Sequence, residues 1–462
     1  MNAYLVDAFQ TKGILKCKIQ LYKKTINQQN NILMLFFLSI FSFSLKKPII
    51  LIPGHGGGGA WVTITKPELY PECPPLNDYQ FWPYNATFAE KYPECMGYLI
   101  RAVYNETTKK ITHPDGIDFR SEEWGHMDSL YNYVPLVEYL VEKKGYEKGK
   151  NLWGIGYDWV LYYPGIPELF DKLKQFIEEV HLNSSQKVIL MGHSMGTHVV
   201  RLLLTNRTTK EWVQEHIDGI ELLAPAFYGC FVSFSMTVYG KFGAIPINPI
   251  AAKSARQMPS LHVLWDNYVV FDGHQVFQNV PGREDGIKPN EVKDYLVSQN
   301  RFDKEAQEIF KYVEPSLQEA PIEPPVRSYL LYNSGISTPV AMDASANYSF
   351  INISGDAICH SGGPEYVCKH WNNVECFDWK KDDWLYSHSQ MMYREGTFEK
   401  IYKFIGNDDS NDSNDSYDYK WIIIGCVLGG VAIIAIVVIV LVITTKRQNK
   451  NNGFTNADSL LN

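Results

Sequence analysis

Residues 187–204 read KVILMGHSMGTHVVRLLL, and the fold follows from how this stretch divides. Lys187–Met191 is a short apolar run, the pattern of a strand buried on both faces. Thr197–Leu204 carries apolar residues suited to a helix packed on that strand. Between them lies Gly192-His193-Ser194-Met195-Gly196. A serine at the tip of a tight strand-to-helix turn is held in a strained backbone conformation, and small neighbours let strand and helix approach each other. The turn exposes Oγ and aims the Met195 N–H, at a helix N-terminus, at any oxyanion formed there. A purely structural turn is the alternative, but strand before and helix after are the context of a nucleophile.

Working outward, Pro48–Ile52, Gly219–Leu223 and Ser328–Tyr332 repeat the short apolar pattern. Tyr133–Lys144 and Pro167–Val180 show helical spacing, and alternating strands and helices predict a mostly parallel sheet covered by helices. Residues 53–130 and 227–325 break that rhythm, are rich in Pro, Gly, Tyr and Trp, and read as insertions.

A nucleophilic serine needs a second oxyanion donor, a base and an acid. Pro53-Gly54-His55-Gly56-Gly57-Gly58-Gly59 follows a strand and offers free backbone N–H groups, with His55 and Gly56 the best placed. A phosphate cradle would need a G-K-[ST] ending and a helix start, which are missing. The base should follow the serine and acid in chain order. His388 lies in a loop before the amphipathic run Thr397–Ile405, whereas His198 sits in the elbow helix and cannot curl back. For the acid, Asp356 follows the strand-like Tyr348–Ile353, and Asp343 and Asp378 fit the same pattern.

The 462 residues are 45% hydrophobic and 20% charged, which suits a globular core. A net charge of −8 argues against a nucleic-acid binder. Ile32–Leu45 is an apolar run of the length of a signal-peptide core, so residues 1–45 read as a leader. Trp421–Ile443 has 23 residues without a charge, enough to span a bilayer. Lys446, Arg447 and Lys450 follow it and place the tail 444–462 in the cytoplasm. The acidic stretch 407–420 reads as a stalk, leaving 46–406 as a lumenal or extracellular domain of a single-pass type I membrane protein. N-x-Ser/Thr sequons at Asn85, Asn105, Asn183, Asn206, Asn347, Asn352, Asn411 and Asn414 agree with that compartment. Six cysteines remain there; Cys73–Cys95 and Cys368–Cys376 are the local pairings, with Cys230 and Cys359 left open. A zinc set of Cys359, His360, Cys368, His370 and Cys376 is disfavoured because secreted cysteines pair, so neither metal nor cofactor is expected.

Several segments in order resemble the lecithin:cholesterol acyltransferase family, which includes lysosomal phospholipases. These are PIILIPG at 48–54, Cys73 and Cys95 at the position of its lid disulfide, PDGIDFR at 114–120, Tyr157-Asp158-Trp159, GHSMG, Ser354-Gly355-Asp356 and His388-Ser389-Gln390-Met391. The resemblance covers residues 48–405 and implies an α/β-hydrolase fold with lid and cap insertions and Ser194, Asp356 and His388 as the triad. Departures are the glycines after His55, Val160 where the family has arginine after Y-D-W, and Ala357-Ile358-Cys359 after the acid.

The resemblance implies an acyl-Ser194 intermediate drawn from a membrane glycerophospholipid. The acyl group then passes to water or to a lipid alcohol such as a sterol or diacylglycerol. Residues 73–95, with Tyr79, Phe81 and Trp82, read as a membrane-facing lid, or else as a pinned loop on its own core. Tyr157, Asp158 and Trp159 are expected to shape the pocket. Trp265–Phe277 fits either an acyl-tunnel wall or core packing. The alternative function is a membrane-tethered, non-catalytic binding ectodomain on a hydrolase fold.

Overall fold

The computed structural model describes residues 46–406, apart from 84, 243–244, 247 and 346–347. The expected leader, stalk, membrane span and tail lie outside the described residues. Among the described residues, no helix is long and apolar enough to cross a membrane.

Six strands form the central sheet: β1 (Ile49–Ile52), β2 (Leu152–Gly154), β3 (Val188–His193), β4 (Ile217–Leu223), β5 (Ser328–Tyr332) and β6 (Val374–Asp378). All neighbours are parallel, in the order β6-β5-β4-β3-β1-β2. Strand side chains alternate between faces, and here both faces are apolar. Ile50, Ile52, Leu190, Ile220, Leu222 and Leu330 enter one core. Ile49, Leu51, Ile189, Met191, Leu223 and Leu331 enter the other.

Helices α1 (Val134–Lys144), α2 (Leu169–Ser184), α3 (Met195–Leu202) and α4 (Glu395–Ile405) supply the matching stripes. Leu173, Ile177 and Val180 of α2 pack with Val199 and Val200 of α3 on the first face. Leu136, Val137 and Leu140 of α1 join Phe398, Ile401 and Ile405 of α4 on the second. Helix α1 has Pro135 in its first turn, where no N–H is needed, and stops at Gly145 with φ 64°. A glycine takes that left-handed conformation without a Cβ clash. The expected strands and helices fall within a few residues of those observed. The edge strands β2 and β6 were not expected.

The first insertion is more ordered than a lid. Ala60–Ile64 pairs antiparallel with both Tyr79–Trp82 and Ile117–Ser121, and the Cys73–Cys95 disulfide pins the segment. The membrane-facing reading fails for Phe81, which is 0% exposed and packs against Phe119 and Trp159. Burying such a ring contributes about 1.5–3 kcal/mol, which favours the pinned-loop alternative. Tyr79 and Trp82 are half-buried. In the second insertion, Trp265 and Phe277 pack with Phe231, Phe234 and Phe310 in a separate core. Trp265–Phe277 is thus held by core packing.

Candidate active site

Ser194 sits between β3 and α3 with φ 55° and ψ −125°, a conformation costly for a residue bearing a Cβ. Its surroundings hold it there. The Ser194 N–H donates to Leu223 O at 2.9 Å, and its carbonyl accepts from Thr197 N at 3.1 Å. A Cβ on Gly192 would lie 2.8 Å from the Gly196 backbone, and one on Gly196 would strike Ile52 O. Both elbow glycines are therefore steric requirements of strand and helix meeting so closely. Ser194 is half-buried while every neighbour from 188 to 202 is buried.

His388 reaches Ser194 from the loop before α4, with Nε2 2.8 Å from Oγ. Its Nδ1 lies 2.7 Å from Asp356 Oδ2. An ionised Asp356 can only accept, so Nδ1 carries the proton and Nε2 is free to accept from Oγ. The backbone repeats the link, His388 N donating to Asp356 O at 2.9 Å. The other oxygen, Asp356 Oδ1, accepts from Ile358 N at 3.1 Å and Cys359 N at 2.8 Å. Both side chains are almost wholly buried, so the pair is shielded from water.

The rival acids lie elsewhere. Asp378 caps the loop after β5, accepting from Ser334 N and Oγ. Asp343 is bonded to Asn279 and Ser345 at an exposed turn. Asp356 itself follows Ser349–Gly355, which pairs antiparallel with Ile336–Asp343 outside the central sheet.

The loop after β1 folds against the serine. Gly57 N donates to Gly54 O, closing a turn with Gly56 at φ 62°. A Cβ on Gly54 would lie 2.6 Å from Ser194 Cβ, so the loop backbone lies against the nucleophile. The backbone N–H groups of His55, Gly56 and Met195 donate to nothing among the described residues.

Tyr157, Trp159 and Trp82 support this loop from behind. Tyr157 OH donates to Pro53 O at 2.7 Å, and Trp82 Nε1 donates to Gly56 O at 2.6 Å. The Trp159 ring meets the His55 ring edge-on at 4.8 Å. Loss of water lowers the His55 pKa to about 4, so the ring is neutral. Tyr157 and Trp159 are both buried and bear on the pocket through this loop, which they buttress.

Asp158 Oδ1 caps the following turn through Val160 N and Leu161 N. Its Oδ2 pairs with His113 Nε2 at 2.6 Å.

Two features escaped the sequence reading. His193 stands beside the base, its Nε2 3.1 Å from His388 O, and burial ahead of the neighbouring His388 lowers its pKa to about 3. It is therefore a neutral donor that fixes the His388 backbone. The second is a disulfide between Cys230 and Cys359, alongside Cys73–Cys95 and Cys368–Cys376. All three cysteines of the alternative zinc set are therefore paired. Asp356, Cys359 and His388 come within 4.8 Å of one another, but Cys359 is half of a disulfide and His388 is bonded to Asp356 directly.

A serine on a strand-to-helix elbow of a parallel sheet, bonded to a histidine and an aspartate from later loops, defines the α/β-hydrolase class. Residues 82–280 match the family model "Lecithin:cholesterol acyltransferase". "Lysosomal phospholipase A and acyltransferase" of Bos taurus is 25% identical over 358 residues, 70% of this chain and 82% of that protein. The Homo sapiens protein of the same name is 26% identical over 325 residues, covering 63% and 73%. "Phosphatidylcholine-sterol acyltransferase" of Gallus gallus is 25% identical over 366 residues, covering 71% and 82%. Over these residues the chain is similar to the lecithin:cholesterol acyltransferase family. The family match ends before Asp356 and His388, so their place in the site rests on the geometry.

Proposed function

We propose that this protein is a serine-dependent lipid acyl esterase and O-acyltransferase acting on glycerophospholipids. The observation that carries this reading is the unbroken series Ser194 Oγ–His388–Asp356, with bonds of 2.8 and 2.7 Å. The names of its relatives supply the substrate class.

Ser194 Oγ attacks the ester carbonyl carbon as His388 Nε2 takes its proton. Asp356 holds the imidazole tautomer and stabilises the imidazolium. The N–H groups of Met195 and of His55 or Gly56 bind the oxyanion, an interaction typically worth about 3–4 kcal/mol per donor. Collapse breaks the ester C–O bond, and Nε2 returns the proton to the departing lysophospholipid oxygen. In the second half, water or a lipid alcohol such as a sterol or diacylglycerol gives its proton to Nε2 and takes the acyl group.

The enzyme is lumenal or extracellular in this reading, tethered by the C-terminal apolar segment. Three disulfides favour an oxidising compartment. The described sequon asparagines Asn85, Asn105, Asn183, Asn206 and Asn352 are all exposed, as glycan attachment requires.

The test is a fluorophosphonate probe together with acyl-labelled phosphatidylcholine, supplied with and without sterol or diacylglycerol. The wild type labels and releases or transfers acyl, and Ser194→Ala does neither. A wild type that neither labels nor turns over in any detergent or pH would favour the binding ectodomain.

A further inference from the structure

The Cys230–Cys359 disulfide lies where the acid is aimed. Residues 356–359 form a closed turn around the Asp356 side chain. Asp356 N donates to Cys359 O at 3.1 Å, while Asp356 Oδ1 accepts from Ile358 N and Cys359 N. At its apex Ala357 has φ 77°, a left-handed conformation that a residue with a Cβ leaves unless held. Thr338 Oγ1 accepts from Ala357 N at 2.8 Å, which is one restraint. The disulfide is the covalent one.

Cys230 is a firm anchor. It is 2% exposed, its N–H donates to Leu264 O, and it opens the helix Phe231–Tyr239. Phe231 and Phe234 of that helix belong to the separate aromatic core. Cys359 is 3% exposed on the other side of the bond. The bond therefore clamps the acid turn to a packed element 129 residues away in the chain. The same turn positions the base, because His388 N donates to Asp356 O.

We infer that Cys359, through its bond to Cys230, is a positioning residue for the catalytic carboxylate, setting Asp356 against His388 Nδ1. This rests on the triad reading above. Without the clamp, the turn relaxes from its left-handed apex, and the Cys359 N–H and the carboxylate drift together. A misplacement of about 1 Å costs catalysis up to about a hundredfold without touching substrate contacts.

The experiment compares the full chain with Cys230→Ala/Cys359→Ala, the near-isosteric Cys230→Ser/Cys359→Ser, and the control Cys368→Ala/Cys376→Ala. Far-UV circular dichroism reports folding. Each is assayed for kcat and KM on labelled phosphatidylcholine. The expected result is a folded protein in which kcat falls about ten- to a hundredfold while KM stays within twofold. The control pair shows no such fall. Wild-type kcat in either folded variant would overturn the inference while leaving the triad reading intact. Failure of both pairs to fold would make the bond a folding element and overturn it equally. A wild type that is not labelled at Ser194 would instead remove the reading beneath it.

Discussion

The substitution Gly54→Ala tests the oxyanion loop. Gly54 is not in the left-handed region, so alanine is permitted by the backbone and the effect is steric alone. The added Cβ would lie 2.6 Å from Ser194 Cβ, 3.0 Å from His193 O and 3.1 Å from Ser194 Oγ. Ordinary carbon–carbon contact is about 3.5–4.0 Å, so roughly 1 Å of separation must be found. The serine cannot supply it, since the elbow is fixed by Leu223 O, Thr197 N and the facing glycines. The loop must retreat, taking the His55 and Gly56 N–H groups with it. Losing one such donor costs about 10²–10³-fold in kcat. Overpacking one methyl costs about 1–3 kcal/mol, little enough for the fold to survive. Steady-state turnover of labelled phosphatidylcholine gives kcat and KM, and thermal unfolding of the same sample gives the fold. A folded Gly54→Ala enzyme with kcat within about twofold of wild type would refute the placement of the donors in this loop.

Two further outcomes follow from buried polar groups. In Tyr157→Phe, Pro53 O loses its 2.7 Å partner; stability should fall by about 1–3 kcal/mol and kcat should drop with KM held, so an unchanged melting temperature would contradict the buttress. His262 is 0% exposed, and Trp265, Phe302 and Phe310 surround it. Burial lowers its pKa from 6.5 to about 3. As pH falls, the unfolded chain binds this proton first, so stability present above pH 6.5 is lost between 6.5 and about 3. The loss is about 2 kcal/mol near pH 5. The advantage of His262→Leu over wild type should grow by about that amount from neutral to that pH. Urea denaturation at both pH values measures it, and equal differences would count against the assignment.

The parts legible in the sequence were those whose cause is local. Strand, glycines, serine and helix of the elbow lie within eighteen consecutive residues, and their order alone states the geometry. The acid was not legible in this way. Asp343, Asp356 and Asp378 all follow or end strand-like runs, and the excursion through the antiparallel pair Ile336–Asp343 and Ser349–Gly355 selects among them. Only the resemblance singled out Asp356. The edge strands hid because β2 is three residues long and β6 carries Glu375 and Asp378 on a half-buried edge. Phe81 misled because aromatic clustering suggests a surface, while two-residue alternation in Tyr79–Trp82 turns that ring inward. Cys230 and Cys359 stayed open because nothing in their spacing indicates that the turn after the acid folds back on the loop after β4.

The rings behind the oxyanion loop also bear on how such an enzyme can change over evolution. Trp82 belongs to the first insertion, yet its indole N–H holds Gly56 O, and its ring packs on Trp159 at 5.1 Å. The insertion is therefore not an exchangeable cassette mounted on an independent catalytic scaffold. A change in that segment that is to leave the loop in place must keep or jointly replace Trp82, Gly56 and Trp159. Sequence drift in the insertion and in the loop after β1 is therefore mutually constrained.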